Sequence, residues 1–180
     1  MRIKNTFSPE DEGTLIENVT VHKGKNIRGI SSVNEIVLLS LEGSGMIGIP
    51  GFSKRLFEAL AQEKINVILI TQGSSEHSIC VGIDQRNADV AKQSIDRAFS
   101  HEIETGKVEP LFIEANLSII ALVGDNMKNH PGISGKMFGA LGRNGVNVRA
   151  IAQGSSERNI SAVISRNDVK KQSTFYMKNF

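Results

Sequence analysis

Two blocks of the sequence carry side chains suited to holding a small molecule: Gln72-Gly73-Ser74-Ser75-Glu76 and Gln153-Gly154-Ser155-Ser156-Glu157. A primary amide donates and accepts at once, so Gln72 and Gln153 could read a ligand hydroxyl. They could also simply cap a hairpin, and the residues alone favour that plainer role. The Ser pairs read as turn formers, because no His stands at a convincing spacing from either pair to act as a base. His77, His101 and His130 read as surface residues, and His22 as part of a polar linker. Glu76 and Glu157 read as turn carboxylates. Cys80 alternates with Ile79 and reads as core. No Cys/His spacing fits zinc, and neither a nucleotide-binding Gly/Lys motif nor Gly-x-Gly-x-x-Gly is present. The chemistry on offer is recognition, with no cofactor and no metal.

The elements that must position these blocks follow from an internal repeat. At an offset of 81 residues, Ile36–Ile83 aligns with Leu117–Ile164 without a gap, and 19 of the 48 pairs are identical. Pro50-Gly51 matches Pro131-Gly132, and Asn66-Val67 matches Asn147-Val148. A period this long marks a duplicated small domain rather than a solenoid unit. In the first copy, Ile36–Leu41 reads as a buried strand, and Gly43–Gly51 as a loop. Phe52, Leu56 and Leu60 mark one helical face. Asn66–Thr71 and Ser78–Ile83 read as strands around a turn. Ala91, Ile95, Ala98 and Phe99 give a second helix, and Val108–Ile113 a fourth strand. The order β-α-β-β-α-β is the ferredoxin-like plan. The second copy repeats it with a strand at Leu117–Val123, a helix marked by Ile133, Met137 and Leu141, strands at Asn147–Ala152 and Asn159–Ser165, and a short polar helix from Asn167.

A fourth strand is missing from the second copy. Asn26–Val33 precedes the first repeat and carries Ile27, Ile30 and Val33. An open sheet edge tends to recruit a strand, so this segment is expected to complete the second copy, with the first copy inserted inside it. The alternative is that the segment is a linker.

Composition excludes several classes. The chain has 180 residues, 39% apolar and 22% charged, with a net charge of +2 and no basic block that would form a nucleic-acid stripe. Aromatics are 5% with no Trp, so base-stacking platforms are not expected. An RNA-binding sheet would need exposed aromatics on central strands that are here aliphatic. No run approaches the length of a membrane helix, the first residues lack an apolar leader, and a lone cysteine fits a reducing compartment. A cytoplasmic protein is expected.

The repeat, the element order and the paired blocks resemble the ACT domain family. Leu69-Ile70-Thr71-Gln72-Gly73-Ser74-Ser75-Glu76 and Ile151-Ala152-Gln153-Gly154-Ser155-Ser156-Glu157 look like the paired motifs in the regulatory region of aspartokinases, most closely those fused to homoserine dehydrogenase. Ile3-Lys4-Asn5-Thr6-Phe7, followed by Gly13-Thr14-Leu15-Ile16, resembles the segment that leaves the kinase domain. The resemblance implies an α+β fold of two ferredoxin-like βαββαβ ACT domains: a lead-in over 1–25, a first domain over 35–115, and a second over 26–34 plus 116–180. It implies a non-catalytic module of a longer kinase chain that dimerises and binds an amino acid. The loops Ser44–Gly51 and Asp125–Gly132 would offer helix N-terminal N–H groups to the carboxylate. Gly51 and Gly132 would let the backbone approach, with Met46 and Asp125 lining the loops. Asp125 reads nearly as well as a plain helix-entry residue. Asn66, Val67, Asn147 and Val148, taken to begin their strands beside those loops, would hold the ammonium and carboxylate. Gln72 and Gln153 would read the side chain. Lysine-sensing aspartokinases often carry an acid where this chain has Ile68 and Arg149, so threonine is the expected effector. A dimerisation module with lysine or no effector is the alternative, and a small hydrolase lacks an acid–base constellation.

Overall fold

A computed structural model describes residues 1–16, 27–73, 77–124, 127–156 and 158–169. Its elements in chain order are β1 (Arg2–Ile3), β2 (Thr14–Leu15), β3 (Gly29–Glu42), α1 (Phe52–Gln62), β4 (Val67–Gln72), β5 (Ser78–Asp84), α2 (Ala88–Ala98), α3 (Ser100–Glu104), β6 (Phe112–Val123), α4 (Ile133–Arg143), β7 (Val148–Gln153) and β8 (Asn159–Ser165). The lead-in pairs β1 with β2 as a small antiparallel ribbon.

All the longer strands join one antiparallel sheet in the order β4-β5-β3-β6-β8-β7. Two long strands serve both copies. The second half of β3 pairs with β5, and its Leu38–Ser40 with Phe112–Glu114 of β6. The first half, Gly29–Val33, pairs with Ile119–Val123 of β6, which also pairs with β8. Each copy thus has the strand order expected of a ferredoxin-like sheet. The register slips between Val33 and Ile36, where Glu35 is left-handed at φ 60°.

Alternation along the strands distributes three cores. Val37, Leu39 and Leu41 face α1 and α2. Ile120 and Leu122 face α4 with Met137 and Leu141. On the opposite face, Ile36, Leu38, Leu69, Leu117, Ile119, Ala150 and Val163 pack together, and the sheet curls until its outermost strands, β4 and β7, approach each other. The helices lie outside and this third core lies between the copies.

The helices follow the expected spacing: Phe52, Leu56, Ala59 and Leu60 are buried on α1, and Ile133, Met137, Ala140 and Leu141 on α4. One strand is corrected. Of Val108–Ile113 only Phe112 and Ile113 are in a strand, as the start of β6; residues 108–111 are not. Val108 and Leu111 are buried outside the ladder. Pro110 has no N–H to give, and Glu109 N–H already donates to Glu42 carbonyl at 2.8 Å. The polar helix expected from Asn167 appears among the described residues as a 3-10 turn, Arg166–Asp168, and the rest of it lies outside them, as does His22.

Candidate functional site

The loop after β3 rises through a 3-10 turn, Ser44–Met46, to Pro50 and Gly51, and then enters α1. Gly43 and Gly45 are required by packing: a Cβ on Gly43 would stand 2.3 Å from Lys107 carbonyl oxygen, and one on Gly45 2.6 Å from Lys107 Cβ. Their close approach is to the chain's own backbone rather than to a ligand. Gly51 is different. It adopts φ +102° with open space where a Cβ would stand, so conformation is what favours glycine there. The α1 N-terminus has no side-chain cap and no acidic residue in its first turn. The leading N–H groups and the positive end of the helix dipole are therefore available to an anion.

A cavity of about 500 Å³ opens at this point. Its walls include Met46, Ile49, Gly51, Ser53, Gln72 and Ile79. Three of the expected site residues, Met46, Gly51 and Gln72, are thus brought together. Among the described residues, the lining contains no acidic side chain. A second cavity, about 440 Å³, lies on the other side of the same loop and is bordered by Phe52, Arg55, Glu102 and Lys107.

The second copy repeats the framework. Gly132 caps α4 at φ 88°, again with no side-chain cap and no acidic residue in the first turn. Gln153 ends β7, and its Oε1 accepts from Ser134 Oγ at 3.4 Å. Ser134 is the counterpart of Ser53, and Met127, buried like Met46, its counterpart. Reading the offset of 81 position by position would have found Met127 and both serines. Asp125 lies outside the described residues, as do Ser74, Ser75, Glu76 and Glu157.

The asparagines are not beside these loops. Both β3 and β4 run antiparallel to β5, so β4 is parallel to β3 and begins at the opposite end of the sheet from the loop. Asn66 is exposed and Val67 half-buried there, and Asn147 and Val148 repeat the arrangement. Val148 instead meets the other copy: with Arg149, Ala150 and Ile151 it lines a groove of about 360 Å³ opposite Thr71, Gly73, Ser78 and Cys80. Arg149 pairs with Glu114 at 2.9 Å, while Ile68 is exposed.

Cys80 is half-buried, and burial pushes its thiol up, away from nucleophilic reactivity. His77, His101 and His130 are exposed. Among the described residues, no three metal-binding side chains cluster and no helix is long and apolar enough to cross a membrane.

The ACT domain family model matches residues 39–99 and 120–172, both copies. The chain belongs to the ACT domain family. It is 39% identical over 165 residues to a bifunctional aspartokinase/homoserine dehydrogenase of Haemophilus influenzae, matching 92% of this chain and 20% of that protein. The crystal structure of Clostridium acetobutylicum aspartate kinase superposes with a TM-score of 0.78 at 27% identity, over 94% of this chain and 39% of that one. Escherichia coli aspartokinase III, solved with lysine and aspartate in the T-state, superposes at 0.70 and 26% identity, over 91% of this chain and 35% of that one. The chain spans about a fifth of the length of these curated relatives, the plant enzymes of Daucus carota and Arabidopsis thaliana included. It resembles the regulatory ACT portion of aspartokinases.

Proposed function

We propose that this tandem ACT module binds L-threonine and passes that signal to an aspartate kinase domain of the same protein, giving feedback inhibition of the aspartate pathway. The observation that carries the reading is the cavity where Gln72 faces the uncapped start of α1. The helix N-terminus suits the ligand carboxylate, Gln72 suits a hydroxyl, and about 500 Å³ is ample for a small amino acid. Gln153, steadied by Ser134, offers the same group in the second copy. Lysine is disfavoured because, among the described residues of the lining, its ammonium would meet no acidic side chain.

The parent reading is a cytoplasmic aspartokinase fused to homoserine dehydrogenase, with residues 1–25 leading in from the kinase. We read 35–115 as the first ACT domain, inserted between 26–34 and 116–180 of the second; the pairing of Gly29–Val33 with Ile119–Val123 supports that division. We read the assembly as a homodimer through ACT domains. Exposed Ile47, Ile49, Ile68 and Ile70 around the first copy favour a partner surface. Inhibition requires threonine to bind the inactive state more tightly than the active one.

Titration calorimetry of the chain with threonine, lysine, methionine and aspartate tests the effector. Saturable threonine binding with no lysine response is expected. Lysine binding, or no heat with any of them, defeats the threonine reading and leaves a dimerisation module.

A further inference from the structure

Arg55 stands one turn into α1, and its backbone N–H donates to Gly51 carbonyl at 3.1 Å. Its guanidinium makes a two-pronged bond to Glu102 of α3, Nη1 to Oε1 at 2.5 Å and Nη2 to Oε2 at 3.0 Å. Nη2 also donates to the carbonyl of Ala98, the last residue of α2, at 2.6 Å. The guanidinium carbon lies 4.4 Å from the Phe99 ring centre and 5.7 Å from that of Phe52. Those two rings stack at 5.6 Å. Phe99 is fully buried. Phe52 opens α1 and forms wall for the cavities on both sides of the loop.

One side chain therefore ties three helices together where α1 leaves the Gly51 turn. At the offset of 81, the second copy has Ile133 for Phe52 and Lys136 for Arg55. An ammonium cannot make the two-pronged bond or lie flat on a ring.

We infer that Arg55 is a positioning residue for the first effector site, fixing the Gly51–Ser53 turn whose N–H groups face Gln72, and that the second site is built without this strut. The inference rests on the effector reading above. A turn held in its binding geometry before the ligand arrives spares the ligand the cost of ordering it. The two sites then differ in affinity for a reason that lies behind the cavity wall, not in it.

The test uses the 180-residue chain in two backgrounds: Gln153→Ala, where the first site reports, and Gln72→Ala, where the second does. Threonine binding is titrated with Arg55 intact, as Arg55→Lys and as Arg55→Ala. In the Gln153→Ala background, Arg55→Ala is expected to weaken binding roughly tenfold and Arg55→Lys by less. In the Gln72→Ala background, neither is expected to change it. Equal losses in both backgrounds, or no loss in the first, overturn the inference. Hydrogen exchange without ligand gives a second, independent readout. Arg55→Ala, or Arg55→Lys if the alanine variant does not fold, should speed exchange at the first bonded amides of α1, residue 55, whose N–H donates to Gly51 carbonyl, and Leu56, but not at Lys136, whose N–H donates to Gly132 carbonyl, or Met137. Failure of threonine to bind the unsubstituted chain sinks the effector reading alone; unchanged exchange at residue 55 and Leu56 sinks the role of Arg55.

Discussion

Glu35 and Asn116 share one left-handed backbone conformation, with φ of 60° and 59°, at positions 81 residues apart. Each interrupts a long strand where it passes from one copy to the other. The same correspondence links Gly48 with Asn129, Gly51 with Gly132, and Lys64 with Gly145. Non-glycine residues hold this conformation at a cost of about 1–2 kcal/mol, so the duplication has kept the backbone even where the residue type drifted.

Lys64 is the clearest place to relieve that cost. It follows α1 at φ 57°, and Ile65 N–H donates back to Leu60 carbonyl at 3.0 Å, as Val146 does to Leu141 around Gly145. This is the helix-ending turn that glycine favours. Lys64→Gly is expected to raise stability by about 0.5–1 kcal/mol, read as a higher urea midpoint with unchanged slope.

Removing the recognition amides tests the effector site directly. Gln72→Ala and Gln153→Ala should each weaken threonine binding several-fold to about tenfold, the worth of one polar hydrogen bond, while leaving the melting temperature of the free chain nearly unchanged. The first copy is expected to be the tighter site. Unaltered affinity in both variants would contradict the reading.

The Arg55–Glu102 pair sets an acid limit. Hydrogen bonding to Arg55 holds the Glu102 carboxyl at about 2, below its ordinary 4.5. A depressed carboxyl stabilises the fold above the unfolded value and loses that contribution as pH falls towards the folded one. The stability gap between the natural chain and Glu102→Gln should therefore be full near neutral pH and shrink as pH falls from about 4.5 towards 2. Urea titrations across that range measure it, and a gap independent of pH would count against the pair.

Shortening the chain tests the proposed domain division. A chain lacking residues 1–34 keeps Ile36–Glu42 but leaves Ile119–Val123 without its outer neighbour. Exchange protection should fall across β6, β7 and β8 while β4 and β5 hold. Protection lost evenly, or not at all, would refute the division.

Much of this was legible in the sequence because it is periodic or repeated. The helix faces at Phe52, Leu56 and Leu60 and at Ile133, Met137 and Leu141 need only local spacing. Strand direction is not local, so the asparagines came to the wrong end of the sheet: nothing in Asn66-Val67 says which way β4 runs relative to β3. The continuity of β3 is hidden by Ser31, Ser32, Asn34 and Glu35, which look like a break. Asn34 is in fact anchored, its Oδ1 accepting from the buried Ser118 hydroxyl at 2.9 Å. Arg55 and Glu102 are separated by 47 positions, and no pattern in either neighbourhood announces the pair.

Because β3 and β6 each run through both halves of the sheet, the copies are joined along hydrogen-bonded backbone and not by free linkers. Inserting one residue into either crossing strand would turn every later side chain of that strand to the opposite face. The lengths of these two strands are therefore held more tightly than the identity of the residues along them.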